Sequence, residues 1–472
     1  MRQEDHEKEE GDQMYRSGIK SLIRFTAVVA LASLPVFSQT KAETGAQCTD
    51  CVPNEVIFQL GVPADLPAVA STYDLIPEPL GQVGTPPTYR MAVDTSRTSQ
   101  TAEQIVSAMG SDNRISKAEV NRNLSAVERQ GLSWTLGRSW AIGRSWAIGS
   151  SAKAYKRNWF ENKIRLPQAH QISTGRGVTV AVLDTGIDLN HRAFEGRLVA
   201  GYDFVDDDSD PSEVGTYYTN PVYGHGTHVA GIVALTAPDA KIMPIRILDE
   251  DGVGNLWRVT AAIIWAAQNG ADIVNVSFGY PDNPFLLEDL IDACDDGQTI
   301  DGKLFTELGN NRLMVVSAAG NGGNAVPIYP AGNRISPQIG VGSSNRYDKL
   351  SVFSTMNRGD VSGGDRFIRL VAPGEGIVSA IPGNRYATWS GTSMAAPVAA
   401  GVAALVKANE PGIGPEALVD RLDDTGVEWE CFLTSRGYEI DTSRVDAFCA
   451  LNNNQACGSN PGACQQNLSN ER

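Results

Sequence analysis

Val178-Thr-Val-Ala-Val-Leu-Asp184-Thr-Gly186 is an apolar run that ends on a carboxylate and a glycine turn. A strand with no polar face must be covered on both sides, which is the condition of a parallel sheet with helices packed on each face. Lys241–Leu248, Asp272–Val276, Leu313–Ala318, Gln338–Val341 and Phe367–Val371 read as strands of the same kind. Between them lie stretches with helical spacing, such as Leu256–Asn269, which stops at Gly270. The alternation predicts an α/β domain over 159–425, with its working residues at the C-terminal ends of strands. Asp184 sits at such an end.

Upstream, the pattern changes. Glu55–Leu60, Asp74–Leu80, Tyr89–Val93 and Ile115–Asn121 read as strands, and Asp65–Tyr73 and Thr101–Met109 as helices. The order β-α-β-β-α-β predicts a small α+β domain of ferredoxin-like type. Residues 125–158 read as a linker. They hold a repeat, Ser133-Trp-Thr-Leu-Gly-Arg138, Ser139-Trp-Ala-Ile-Gly-Arg144 and Ser145-Trp-Ala-Ile-Gly-Ser150, too short for a solenoid. It reads as slippage in a permissive segment, with a docking Trp spacer as the alternative.

The first 42 residues have the layout of a secretory signal. Lys20 and Arg24 precede an apolar run, Phe25 to Phe37, followed by small and polar residues. That run is short of the roughly twenty residues a spanning helix needs. The polar, acidic stretch before it makes Met14 the expected start. Export also suits the seven cysteines. Cys48 and Cys51 read as a local disulfide, and Cys431, Cys449, Cys457 and Cys464 as staples of a tail, 426–472, with their pairing open. Acidic residues outnumber basic ones, 55 to 39, for a net charge of −16. That excludes nucleic acid as the main partner, since phosphate binding needs a basic face.

Three further residues join Asp184. His225 lies in Gly224-His-Gly-Thr-His-Val-Ala-Gly231, just ahead of an apolar helix, where glycines leave its ring accessible. Its spacing to His228 could suit a metal, but no acidic helix partner follows. Ser393 lies in Ser390-Gly-Thr-Ser-Met-Ala-Ala-Pro397, at a helix N-terminus whose free N–H groups can stabilise an oxyanion. Asn321 ends Val316-Ser-Ala-Ala-Gly-Asn321 and supplies a side-chain amide for the same purpose. A single Asp-Thr-Gly excludes an aspartic protease, which pairs two carboxylates. An esterase would need Gly-x-Ser-x-Gly, and Gly391-Thr-Ser-Met-Ala395 lacks the second glycine.

The order Asp, His, Ser is that of subtilisin. Val180–Asp188, Gly224–Gly231, Ser317–Asn321 and Gly391–Pro397 resemble the hallmark blocks of the subtilase family, in register over 160–410. The resemblance implies a subtilisin-like fold and a secreted or periplasmic serine endopeptidase. In it Asp184 orients His225, His225 is the general base, and Ser393 is the nucleophile. Asn321 and the Ser393 amide would form the oxyanion hole. Ser277, Phe278 and Gly279, with Ala318, Ala319 and Gly320, would flank the substrate as neighbouring strands. Residues 43–124 would be a propeptide that assists folding and then inhibits, with autoprocessing inside 122–158 or cleavage by another protease at Lys156-Arg157. Protein substrates, a monomer without membrane insertion, and no cofactor for the chemistry are expected.

The sequence departs from the pattern in places. Val398-Ala399 replaces the usual His-Val after Pro397, a packing position. The loop after the His225 helix is too short for the calcium site many members build there. Asp203, Asp208 and Asp210, in an acidic loop like that of thermitase-type members, are candidate calcium ligands instead. A stretch around Asp292–Gly302, holding Cys294, has no evident counterpart. A catalytically silent member of the family would have lost part of the triad, and none of it is lost.

Overall fold

The computed structural model describes residues 50–127, 150–217, 219–299, 302–357, 366–428 and 442–453. The signal region, Cys48, nearly all of the Trp repeat, Cys431, Cys457 and Cys464 fall outside them. Cys51, Cys294 and Cys449 are described and buried, and Cys294 is a free thiol.

The N-terminal unit has strands β1 (Cys51–Leu60), β2 (Gly81–Val83), β3 (Thr88–Ala92) and β4 (Ile115–Ala126), with helices α1 (Leu66–Thr72) and α2 (Ala102–Met109). They form an antiparallel sheet in the order β4-β1-β3-β2, the ferredoxin-like arrangement the sequence predicts. Helix α2 begins with a capping box, in which Thr101 and Gln104 satisfy each other's backbone N–H. The expected strand Asp74–Leu80 is displaced to β2. Pro77 and Pro79 cannot donate to a ladder, so pairing resumes only after Leu80.

The larger unit opens with short helices α3 (Ala152–Tyr155), α4 (Trp159–Lys163) and α5 (Leu166–Ala169). Its sheet contains β5 (Thr179–Asp184), β6 (Tyr202–Asp203), β7 (Lys241–Arg246), β9 (Ile273–Val276), β11 (Met314–Ala318), β12 (Gln338–Ser344), β13 (Leu370–Pro373), β16 (Val427–Glu428) and β17 (Ser443–Arg444). The order is β16-β17-β13-β12-β11-β9-β5-β7-β6, parallel except at β16. Outside it lie β8 (Val253–Asn255), β10 (Phe278–Gly279) and the hairpin β14 (Ile377–Ile381)–β15 (Arg385–Trp389).

Alternation along β5 divides the core. Val180 and Val182 face a cluster with α6 (His225–Thr236) and α9 (Thr392–Asn409). Ala181 and Leu183 face the other, with α7 (Leu256–Gln268) and α8 (Phe285–Asp296). Of the two segments read as flanking the domain, the described parts 150–158 and 442–453 pack onto it. Tyr155, from the end of the expected linker, is buried and donates its hydroxyl to Gly231 O at 2.6 Å. Beyond α10 (Pro415–Asp424), part of the expected tail, Ser443–Arg444, pairs with β13, and α11 (Ala447–Asn452) follows it.

Helices α6 and α9 carry His225 and Ser393, and they meet through small residues. A Cβ added to Gly401 would lie 2.4 Å from Thr236 Cβ. Gly401→Ala must therefore push the two helices apart and cost about 1–3 kcal/mol. Thermal unfolding of this variant, measured in a Ser393→Ala background, is expected to show a lower midpoint.

Candidate active site

Asp184 Oδ1, at the end of β5, lies 2.7 Å from His225 Nδ1, and both side chains are buried. The same oxygen accepts the Thr185 N–H at 2.8 Å. His225 opens α6 after Gly224, whose φ of 90° is left-handed. A Cβ on Gly226 would fall 2.1 Å from Gly186 O, so only glycine lets this helix start touch the turn after Asp184. The carboxylate on Nδ1 holds the ring in the tautomer whose Nε2 is the basic nitrogen. Trp389 packs edge-on against it, with ring centroids 5.6 Å apart.

Ser393 sits in the first turn of α9 after the Gly391 cap. Its hydroxyl donates to Ser277 O at 3.4 Å rather than to His225. Pro397 has no N–H for the Ser393 carbonyl four residues back, and Ser277 Oγ donates to that carbonyl at 3.4 Å. Asn321 Oδ1 accepts from the Thr392 N–H at 2.9 Å and from Thr392 Oγ1 at 3.1 Å. The amide is thus held by its accepting end, and its NH2 is the end that can donate to an oxyanion.

Of the expected substrate segments, Phe278 and Gly279 pair antiparallel with Ala126 and Ser125 of β4. Ala318, Ala319 and Gly320 bond within the domain. Ala318 pairs with Val341, the Ala319 N–H reaches Val341 O at 3.0 Å, and the Gly320 N–H reaches Thr392 Oγ1 at 3.0 Å. A cavity of about 330 Å³ adjoins them, lined by Gly279, Asn321, Asn324 and Ile328 together with Asn123 and Ser125 of β4.

In the acidic loop, the carboxylates have protein partners. Asp203 Oδ2 and Asp206 Oδ2 both bind Arg246 Nη1 at 2.6 Å. Asp208 and Asp210 accept hydrogen bonds from amides of their own turn. Among the described residues, no three His, Cys, Asp or Glu side chains form a group that could hold a metal. The Arg246 guanidinium comes from β7. His228 is buried, which drives its pKa down to about 3; its Nε2 lies 3.3 Å from Ala387 O and its ring packs edge-on against Trp389.

A family model for the subtilase family matches residues 175–447. The chain belongs to that family. It is 36% identical to thermitase of Thermoactinomyces vulgaris over 288 residues, covering 58% of this chain and 92% of that one. It is 38% identical to a thermophilic serine proteinase of Bacillus sp. (strain AK1) over 240 residues, and there the match spans 52% of the relative's length. Subtilisin BL of Lederbergia lenta is 34% identical over 57% of this chain and 90% of its own. In fold, the chain resembles the crystal structure of fervidolysin from Fervidobacterium pennivorans, with a TM-score of 0.63 at 22% identity, over 86% of this chain and 61% of that one. The chain is a subtilisin-type serine protease by kinship.

Within this subtilase, Glu213 is the site residue that sequence reading misses, because a Ser-Glu pair in a loop carries no local signal. Its carboxylate accepts from Thr185 Oγ1 at 2.6 Å, the Gly224 N–H at 3.0 Å, and the Thr227 hydroxyl and N–H at 2.8 and 3.2 Å. Thr185 Oγ1 in turn accepts the Gly226 N–H at 3.0 Å. Glu213 therefore ties the turn after Asp184 to the residues on either side of His225. Burial raises its pKa from 4.5 to about 7, against the pull of those hydrogen bonds. Between these values the folded chain holds a proton that the unfolded chain has lost, so this group's contribution to stability falls as pH rises from 4.5 to 7. Denaturant titrations of Ser393→Ala with and without Glu213→Gln should differ in slope over that window, by on the order of 3 kcal/mol in total. Parallel curves would refute the assignment.

Proposed function

We propose that the chain is an exported serine endopeptidase, synthesised as a precursor that cuts itself and is then inhibited by its own N-terminal domain. One observation carries this reading. The end of β4 lies as a strand between two segments of the larger unit, pairing with β8 through Asn123–Ser125 and with β10 through Ser125–Ala126. This is the way an extended peptide joins a sheet edge. Continuing the register that sets Ser125 opposite Gly279 and Ala126 opposite Phe278, Val127 falls opposite Ser277, whose carbonyl is 3.4 Å from Ser393 Oγ. Val127 is buried in the same apolar cluster that Ile328 packs against.

In the proposed reaction Asp184 holds His225, which takes the Ser393 proton as Oγ attacks the carbonyl carbon of Val127, breaking its bond to the next residue's nitrogen. The Ser393 N–H and the Asn321 NH2 stabilise the oxyanion. His225 then returns the proton to the departing amine, and water releases the acyl group. The same steps serve protein substrates once the N-terminal domain has left, with no cofactor. The signal-like N-terminus supports a secreted or periplasmic location. No helix among the described residues is long and apolar enough to cross a membrane. The expected processing window, 122–158, narrows to the bond after Val127, upstream of Lys156-Arg157.

Purified wild-type precursor and Ser393→Ala, analysed by mass spectrometry, test this. Wild type is expected to release a fragment whose C-terminus is Val127 and to digest casein, while the variant stays whole. A fragment ending elsewhere would sink the register argument, and a folded but inert wild type would sink the protease reading.

Ile328 sets the expected preference at the cleaved bond. A Cβ on Gly279 or on Gly320 would come within 2.7 or 2.9 Å of its Cδ1, so its tip fills the gap between the segments that flank the substrate. Small and β-branched residues should be favoured over aromatic ones. Ile328→Ala should raise kcat/KM for peptides with an aromatic residue there by roughly tenfold, measured on chromogenic peptides.

A further inference from the structure

The stretch after α8 that the sequence leaves without a counterpart contacts the N-terminal domain at a place remote in sequence from the triad. Asp292–Asp296 belong to α8, which is capped by Gly297, and residues 302–305 lead into a short turn at Thr306–Leu308. Leu304 exchanges backbone hydrogen bonds with Thr85, the residues' N–H groups reaching the opposite carbonyls at 2.9 and 2.7 Å. Thr85 lies just past β2, at the edge of the small sheet opposite β4. The Gly84 N–H donates to Glu307 Oε1 at 2.9 Å.

A buried lysine anchors the contact. Lys303 is only 4% exposed, and its ammonium donates to Thr88 Oγ1 of β3 at 2.8 Å and lies 3.5 Å from Asp289 Oδ2. Asp289 also binds Lys117 of β4 at 2.9 Å. A Cβ on Gly84 would sit 2.6 Å from Lys303 Cε, so the lysine stem runs directly beneath the glycine turn. An ammonium this deep needs its acceptors, and one of them comes from the other domain.

We infer that residues 302–307 form a docking element for the chain's own N-terminal domain, which keeps that domain bound after cleavage and so sets the delay before activity. The inference rests on the proposed zymogen reading. The domain is gripped at both edges of its sheet: by β8 and β10 at β4, and by this loop beyond β2. Cleavage after Val127 frees the chain only at the β4 end. The loop, the Lys303–Thr88 bond and the Glu307–Gly84 bond persist, and departure must break them.

The test uses the full chain and follows two readouts in one sample: cleavage on gels, and hydrolysis of a chromogenic peptide. Wild type should show a lag between them. Thr88→Val keeps the shape of the small domain but removes the acceptor, and Lys303→Met removes the donor. Each should leave the rate of cleavage unchanged and shorten the lag by roughly tenfold or more. The double variant should shorten it no further than the single ones. The mature enzyme released from the Thr88→Val precursor is the wild-type polypeptide, so a changed lag there reports docking alone. A chain cut on schedule with the same lag in wild type and both variants, or with no lag in wild type, overturns this inference only. A chain that is never cut overturns the zymogen reading as well.

Discussion

The hydrogen bond between Asp184 and His225 is the constraint on which the rest of this structure depends. Two polar groups meet at 2.7 Å with almost no exposure to water, from elements 41 residues apart in the chain. A buried carboxylate is costly unless its surroundings satisfy it. The neighbourhood is arranged accordingly. Thr185 gives its N–H to the carboxylate, and Gly226 allows the helix start to approach the turn. Glu213 then locks that turn to the backbone on both sides of the histidine. The depth of the pair follows from the sheet: β5 is an interior strand, with β9 and β7 on either side, so its last residue is reached only through an opening made by loops.

The Ser393 half of the site solves a different problem, how to position a serine at a helix start. Pro397 removes a backbone N–H from the first turns of α9, and Ser277 Oγ supplies a bond to the orphaned carbonyl. Thr392, one residue before Ser393, holds Asn321 by two bonds. One helical turn therefore fixes both Ser393 and Asn321, and any shift of α9 moves them together. Preorganisation of this sort lets donors act without reorienting during the reaction.

How much of this was legible in the sequence follows from the range of each interaction. Strands buried on both faces have no polar face, so the parallel sheet could be read directly, and strand ends and helix starts bracketed Asp184, His225, Ser393 and Asn321. The small sheet was legible in order but not in register of β2, because Pro77 and Pro79 interrupt a run that otherwise alternates. The partner of the acidic loop was not legible. Nothing in Tyr202–Asp210 announces that Arg246, from the next strand of the sheet, will bind Asp203 and Asp206. Glu213 and Trp389 escaped for the same reason, since each works through partners distant in sequence. The last strand, Ser443–Arg444, is two residues long and was absorbed into a tail.

A sheet edge offers unpaired N–H and C=O groups and attracts any extended chain of suitable shape. The segments β8 and β10 are such edges, and both are completed by β4. On the zymogen reading, the vacancy that β4 leaves is the one a substrate must fill, with the same backbone bonds and the same direction. Inhibition and substrate binding are then one interaction with two occupants, and they cannot be separated by changing the cleft. The difference must lie in contacts that only the N-terminal domain makes. Glu119, accepting the Phe285 and Leu286 N–H groups at the start of α8, is one, and Asn121, accepting the Trp257 N–H of α7, is another. A short substrate strand in the cleft reproduces neither. An enzyme held this way can bind its own domain far more tightly than its products, while using a cleft shaped for turnover.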